Sequence, residues 1–182
     1  LYTEIINLKA ILNLPKGTEH FMSDLHGENG AFEHILNNCS GVIREKIRLH
    51  LGGEMTAEQI SALCTLIYYP GEKLKLLTRQ GLLTPPWHRE TLKLLIRLSK
   101  HLSSKYTRSK VRKALPPEFA YIIDELLHAQ EDEDENQHVY HEKIIDTLIG
   151  IGSGNEFIIS LCNLIKRLAV DRLHILGDIF DR

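Results

Sequence analysis

The chain has 182 residues, is 43% apolar and 25% charged, and sets 22 Lys+Arg against 24 Asp+Glu for a formal charge of −2. That length is one ordinary domain, or one domain carrying a large insertion, with enough chain to bury a core. The balance excludes a wholly disordered protein and gives no overall basic excess of the kind that marks nucleic-acid binders.

The chain opens Leu1-Tyr2-Thr3-Glu4, without a charged segment leading into an apolar run, so no signal peptide is expected. Leu1 in place of an initiator Met gives the expectation that the true start has been removed. Tyr2, Ile5, Ile6 and Leu12 predict a first helix, stopped by Pro15 and Gly17. His20-Phe21-Met22-Ser23, ending in Asp24-Leu25-His26-Gly27, reads as a short buried strand running into a glycine turn. Helical spacing returns at Phe32, Ile35, Leu36 and Cys39, and again at Val42, Ile43, Ile47 and Leu51, before Gly52-Gly53.

Thr56 with Gln59 predicts a capping box opening a helix whose apolar face is Ile60, Leu63, Cys64 and Ile67, and Pro70-Gly71 is expected to end it. Pro85-Pro86 opens a longer helix containing Leu92, Leu95, Ile96 and Leu102, and Pro116-Pro117 opens one containing Ile122, Ile123, Leu126 and Leu127. Ile144, Ile145, Leu148 and Ile149 form the next helix, and Phe157, Ile158, Leu161, Leu164, Ile165 and Leu168 the last and most regular. The strongly apolar stretch there, Phe157 to Ile165, is too short for a bilayer, which needs about 20 residues. Leu173-His174-Ile175-Leu176 then predicts a second strand, ending at Gly177-Asp178. Two strands near opposite ends with helices between them make a mostly α fold with a small β part.

Cys39, Cys64 and Cys162 are far apart, form no C-x-x-C pair, and read as reduced, buried thiols, so a cytoplasmic setting is expected. The run Glu131 to Glu135 reads as a solvated acidic loop. His138 and His141, at i and i+3, read as surface histidines beside that loop, with zinc as the sharper alternative. Tyr68, Tyr69 and Trp87 read as core or turn packing, and His34 as a satisfied residue rather than a ligand. Lys105, Arg108, Lys110, Arg112 and Lys113 concentrate positive charge in a balanced chain. They read either as a solvated helix end or as a contact for a phosphate of substrate or effector. Nucleic acid is disfavoured there, because only Tyr106 is interleaved.

Metal chemistry is suggested at the two strand ends. Asp24 and His26 stand at i and i+2, a spacing that points both to one side if strand geometry persists. A carboxylate with an imidazole suits a first-row divalent cation. Asp178 follows the second strand in the same way, Asp181 can orient a ligand such as His26, and Arg182 offers a guanidinium to phosphate. Parallel pairing of the strands brings Asp24, His26 and Asp178 to one edge.

The sequence D-x-H-G followed by G-D-x-x-D-R resembles the opening of calcineurin-like metallophosphoesterases. The separation of Asp24 from Asp178 by 154 positions resembles one branch in particular, the class III fructose-1,6-bisphosphatases of Firmicutes, Bacteroidetes and related bacteria. The wording of four segments also resembles theirs, Phe21 to Glu28, Thr65 to Pro70, Ser103 to Pro116 and His174 to Arg182, a match along nearly the whole chain in which the two middle segments are far more specific than the metal motifs. The resemblance implies hydrolysis of the 1-phosphate of fructose 1,6-bisphosphate in gluconeogenesis, with manganese as the usual metal and a homo-oligomeric, membrane-free enzyme. It implies that Asp24 and His26 hold one metal and that Asp178 bridges two, with Asp181 and Arg182 in the catalytic machinery. It also implies that residues 1–39 and 154–182 begin a phosphoesterase core and that residues 40–153 are a helical insertion. The family's later G-N-H-[DE] and histidine motifs are missing, so the chain is expected to be an N-terminal piece, inactive alone. The rival reading is a non-catalytic helical module for oligomerisation or effector binding, and the third is another metallophosphoesterase.

Overall fold

A computed structural model describes residues 1–129 and 135–180. Helix α1 (Tyr2–Ile11) is apolar on several sides and buries none of its residues. Strand β1 (Glu19–Met22) leads to α2 (Asn29–Asn38) and, after a 3-10 turn at Cys39–Gly41, to α3 (Val42–Leu51). Then come α4 (Ala57–Tyr68), α5 (Pro70–Arg79), α6 (Pro85–Ser103), α7 (Arg108–Ala114), α8 (Ala120–His128), α9 (Glu135–Gly150) and α10 (Gly154–Ala169). Strand β2 (Arg172–Ile175) closes the order.

The helix starts follow from local chemistry. The Gln59 amide donates to Thr56 Oγ1 at 3.2 Å while the Thr56 amide donates to Gln59 Oε1 at 2.7 Å, the expected capping box on α4. Thr84 caps α6 ahead of Pro85 and Pro86, and Thr107 caps α7. The stop expected at Pro70-Gly71 is present, and a helix not expected from the sequence follows it at once. Helix α4 does end at Tyr68, but Pro70 begins α5, where its missing N–H and fixed φ suit a first helical position. Helix α7 likewise forms where the sequence offered only a basic helix end.

The core is helical. Helix α10 runs through its middle against α6, α4, α5 and α3, with Phe157, Ile158, Leu161, Leu164 and Ile165 fully buried. Phe157 meets Phe119 edge-on at 5.1 Å between ring centroids, a favoured aromatic geometry. Cys39, Cys64 and Cys162 are free and buried, and burial pushes the Cys39 thiol up to about 11 and the Cys162 thiol to about 12, which leaves both unreactive at neutral pH. His141 corrects the expectation of a surface residue, being only 9% exposed. No single helix among the described residues is long and apolar enough to cross a membrane.

β1 and β2 pair in parallel, with Glu19 opposite Arg172, His20 opposite Leu173, Phe21 opposite His174 and Met22 opposite Ile175. The chain is therefore mostly helical with a small two-stranded parallel sheet, and both strands run toward one edge. None of the eight strand side chains is buried, so the pair stands on the flank of the helical core rather than inside it.

Candidate metal centre

Each strand ends in a turn that the backbone must force. Asp24 has φ 56°, His26 φ 46° and Asp178 φ 50°, all in the left-handed region, and Gly27 follows at φ 71°. A left-handed non-glycine residue costs about 1–2 kcal/mol, less for Asp, so the surroundings must over-determine it. Three backbone hydrogen bonds do so by tying the two turns together. The Leu176 amide donates to Met22 O at 2.8 Å, the His26 amide to Asp178 O at 2.9 Å, and the Gly27 amide to Ile179 O at 3.0 Å.

The result places one ligand atom each from Asp24, His26 and Asp178 within 4.8 Å of one another. His26 Nε2 lies 3.8 Å from Asp24 Oδ1, and the Ser23 hydroxyl donates to Asp24 Oδ2 at 2.6 Å. Two ligands at opposite sides of a cation with bonds near 2.1 Å are about 4.2 Å apart, so a cluster spread within 4.8 Å has only to draw in slightly to share one cation. Its donors, two carboxylates and an imidazole, fit a first-row divalent ion. All three residues are exposed, and the cluster opens to solvent. Beside it, Leu25, Phe32, Ile175, Ile179 and Phe180 line an apolar pocket of about 200 Å³.

Asp24 and His26 converge for a different reason from the one their spacing suggested. Strand geometry stops at Met22, and successive left-handed turns, not strand alternation, bring the side chains together. Asp181 and Arg182 lie outside the described residues, as does most of the acidic run. His138 and His141 join no cluster of three metal-ligating side chains among the described residues. His34 Nδ1 is 2.5 Å from the Tyr69 hydroxyl, a satisfied position, and His34 is not one of the clustered ligands.

The basic segment is internally partnered. Lys110 Nζ is 2.6 Å from Asp171 Oδ1 and Lys105 Nζ 3.5 Å from Asp171 Oδ2. The two ammonium groups also flank the Tyr106 ring, 4.2 and 4.9 Å from its centroid. Arg112 donates twice to Asp124 Oδ2, at 3.1 and 2.9 Å, and Arg108 Nε donates to His128 Nε2 at 2.9 Å. Burial pushes Lys105 below the usual lysine range, with Asp171 opposing. Asp171, nine-tenths buried, is the residue that sequence reasoning missed; an Asp just ahead of a strand was the signal, but nothing local names partners so far away.

Comparison with known proteins adds the family. The profile of the Firmicute fructose-1,6-bisphosphatase family matches residues 1–182. A protein of Parabacteroides distasonis named fructose-1,6-bisphosphatase class 3 is 54% identical over 180 residues, 99% of this chain and 27% of the relative. Proteins of the same name from Listeria monocytogenes and Bacteroides thetaiotaomicron are 54% and 52% identical over the same share of each chain. The chain thus spans 27% of the length of these relatives. No solved structure matches it.

Proposed function

Since the chain belongs to the Firmicute fructose-1,6-bisphosphatase family, we propose that the whole protein hydrolyses the 1-phosphate of fructose 1,6-bisphosphate in gluconeogenesis, using a divalent metal held partly by Asp24, His26 and Asp178. The observation that carries the metal part is their convergence, from positions 154 apart, through three left-handed residues. Strained backbone of this kind persists at functional sites because it fixes side chains where an unstrained turn would not.

In this proposal Asp24, His26 and Asp178 would hold the metal, with Asp178 shared by a second cation, and Ser23 orients Asp24 through its hydroxyl. Asp181 orients a ligand and Arg182 meets a phosphoryl oxygen. Manganese is the proposed metal; bound, it would supply Lewis acidity to the phosphoryl oxygens and acidify the attacking water. The proposed layout makes residues 1–39 and 154–182 the start of a calcineurin-like core and 40–153 a helical insertion. The parallel pairing of strands that flank the helices supports it. Lys105, Arg108, Lys110 and Arg112 are proposed to meet a substrate or effector phosphate only in competition with their internal partners. The protein is further proposed to be a cytoplasmic homo-oligomer with no nucleic-acid or membrane partner.

The test is phosphate release by the full-length protein across a panel of sugar bisphosphates and phosphoproteins, with and without Mn2+. Preference for fructose 1,6-bisphosphate supports the proposal. Preference for a phosphoprotein would assign another metallophosphoesterase activity, and no hydrolysis at all would favour the non-catalytic module.

A further inference from the structure

We propose that Asp171 is a positioning residue for the metal centre, locking the register of the two strands whose turns carry Asp24, His26 and Asp178. The inference rests on the metal reading of those three side chains.

Apart from the three hydrogen bonds between the turns, the strand pair is joined by its ladder, a stack of Phe21 on His174 at 4.5 Å and a His174–Glu19 contact at 3.1 Å, all on its exposed flank. Its side chains are half-buried or exposed, and its ladder is only four residues long on each strand. Two short strands are marginal by themselves. At the end of the ladder remote from the ligands, Asp171 and Thr18 bind each other reciprocally. The Asp171 amide donates to Thr18 O at 2.8 Å, and the Thr18 amide donates to Asp171 Oδ2 at 2.9 Å. With the three hydrogen bonds between the turns at the other end, that pair sets which residue of β1 faces which residue of β2. Lys105, from the segment between α6 and α7, and Lys110, on α7, then hold the carboxylate, and the Tyr106 hydroxyl donates to Leu168 O at 3.0 Å. The lysine clamp therefore anchors the strand root to the helical body.

Register matters because the ligands come from both strands. A slip of one residue moves β2 by about 3.3 Å and turns its side chains to the opposite face. Asp178 would leave a cluster whose ligand atoms now lie within 4.8 Å of one another. The packing at the root is tight. A Cβ at Gly17 would meet Asp171 Oδ2 at 2.0 Å, so no side chain fits there while the carboxylate keeps its place. Gly17 thus offers a way to displace the carboxylate without changing any charge.

The experiment titrates the full-length protein with Mn2+ alone, reading free Mn2+ by electron paramagnetic resonance. Wild type, Asp171→Asn, Gly17→Ala and Lys110→Met are compared, with far-ultraviolet circular dichroism and thermal unfolding of each. The expected result is a loss of Mn2+ affinity of at least about tenfold in Asp171→Asn and Gly17→Ala, the scale for removing a supporting partner. Helical content is expected to stay unchanged. Lys110→Met should weaken binding less, and should add nothing on top of Asp171→Asn. Mn2+ affinity unchanged in folded Asp171→Asn and Gly17→Ala overturns the positioning role alone. Wild type that binds no Mn2+ overturns the metal reading beneath it.

Discussion

Asp178→Asn should reverse sign between metal-free and metal-loaded protein. Asn tolerates the left-handed backbone at φ 50° about as well as Asp, so the turn is preserved. The substitution removes one of two carboxylates whose ligand atoms lie within 4.8 Å of each other. At that separation in water, two unit charges repel by about 0.9 kcal/mol, and salt reduces the figure. In chelator, Asp178→Asn should therefore match wild type or exceed it by up to about 1 kcal/mol, a Tm rise of at most about 2–4 °C. Mn2+ at one hundred times its Kd adds about 2.7 kcal/mol to a protein that binds it only when folded. That is about 5–11 °C for wild type, and the variant, left with Asp24 and His26, should gain clearly less of it. Calorimetry of both proteins in chelator and in Mn2+ reads the crossing directly. An equal Mn2+ shift in the variant, or a variant less stable than wild type in chelator by several degrees, would refute the reasoning.

Phe157→Ala removes a fully buried ring from the middle of α10 and should cost about 3–5 kcal/mol, measured by urea unfolding. Thr56→Ala breaks both arms of the capping box on α4 and should cost about 0.5–2 kcal/mol by the same assay. Burial alone would raise the Asp171 carboxyl, but Lys110, Tyr106 and Lys105 outweigh it and hold the group below its ordinary value of 3.8. A depressed carboxyl stabilises the fold above that ordinary value and loses the contribution as pH falls through the lower folded one. Hydrogen-exchange protection of the Leu176 amide, relative to Leu161 in the core, should be level at neutral pH and fall below pH 3.8. Protection that falls already between pH 7 and 5 would assign the ordering of the strand pair to another group.

The helices were readable because apolar residues spaced three and four apart fall on one face of a helix and of no strand, and the capping box on α4 was legible from two side chains. Pro70-Gly71 did end α4 as read, but α5 was missed, because a proline that ends one helix can also begin the next and the packing of Leu74 and Leu77 shows it only in the fold. The pairing of the strands followed from their matching apolar runs and turns. The means by which Asp24 and His26 meet did not follow, since left-handed φ at a non-glycine residue leaves little trace in sequence. Asp171 was illegible for a related reason: its partners Thr18, Lys105 and Lys110 are set by tertiary placement, and hydrogen bonds carry no periodicity. His141 looked like a surface residue because a histidine pair beside an acidic run gives no hint of how the helix is rotated toward the core.

Asp24, His26 and Asp178 are proposed to form a metal centre serving phosphate-ester hydrolysis. The most direct measurement is Mn2+-dependent phosphate release from fructose 1,6-bisphosphate by the full-length protein and its Asp178→Asn variant, at matched folded concentration. Chelator should silence wild type, Mn2+ should restore it, and the variant should turn over at less than about a tenth of the wild-type rate, a barrier increase above about 1.4 kcal/mol. A variant with Mn2+-dependent turnover equal to wild type would remove Asp178, and with it this site, from the chemistry.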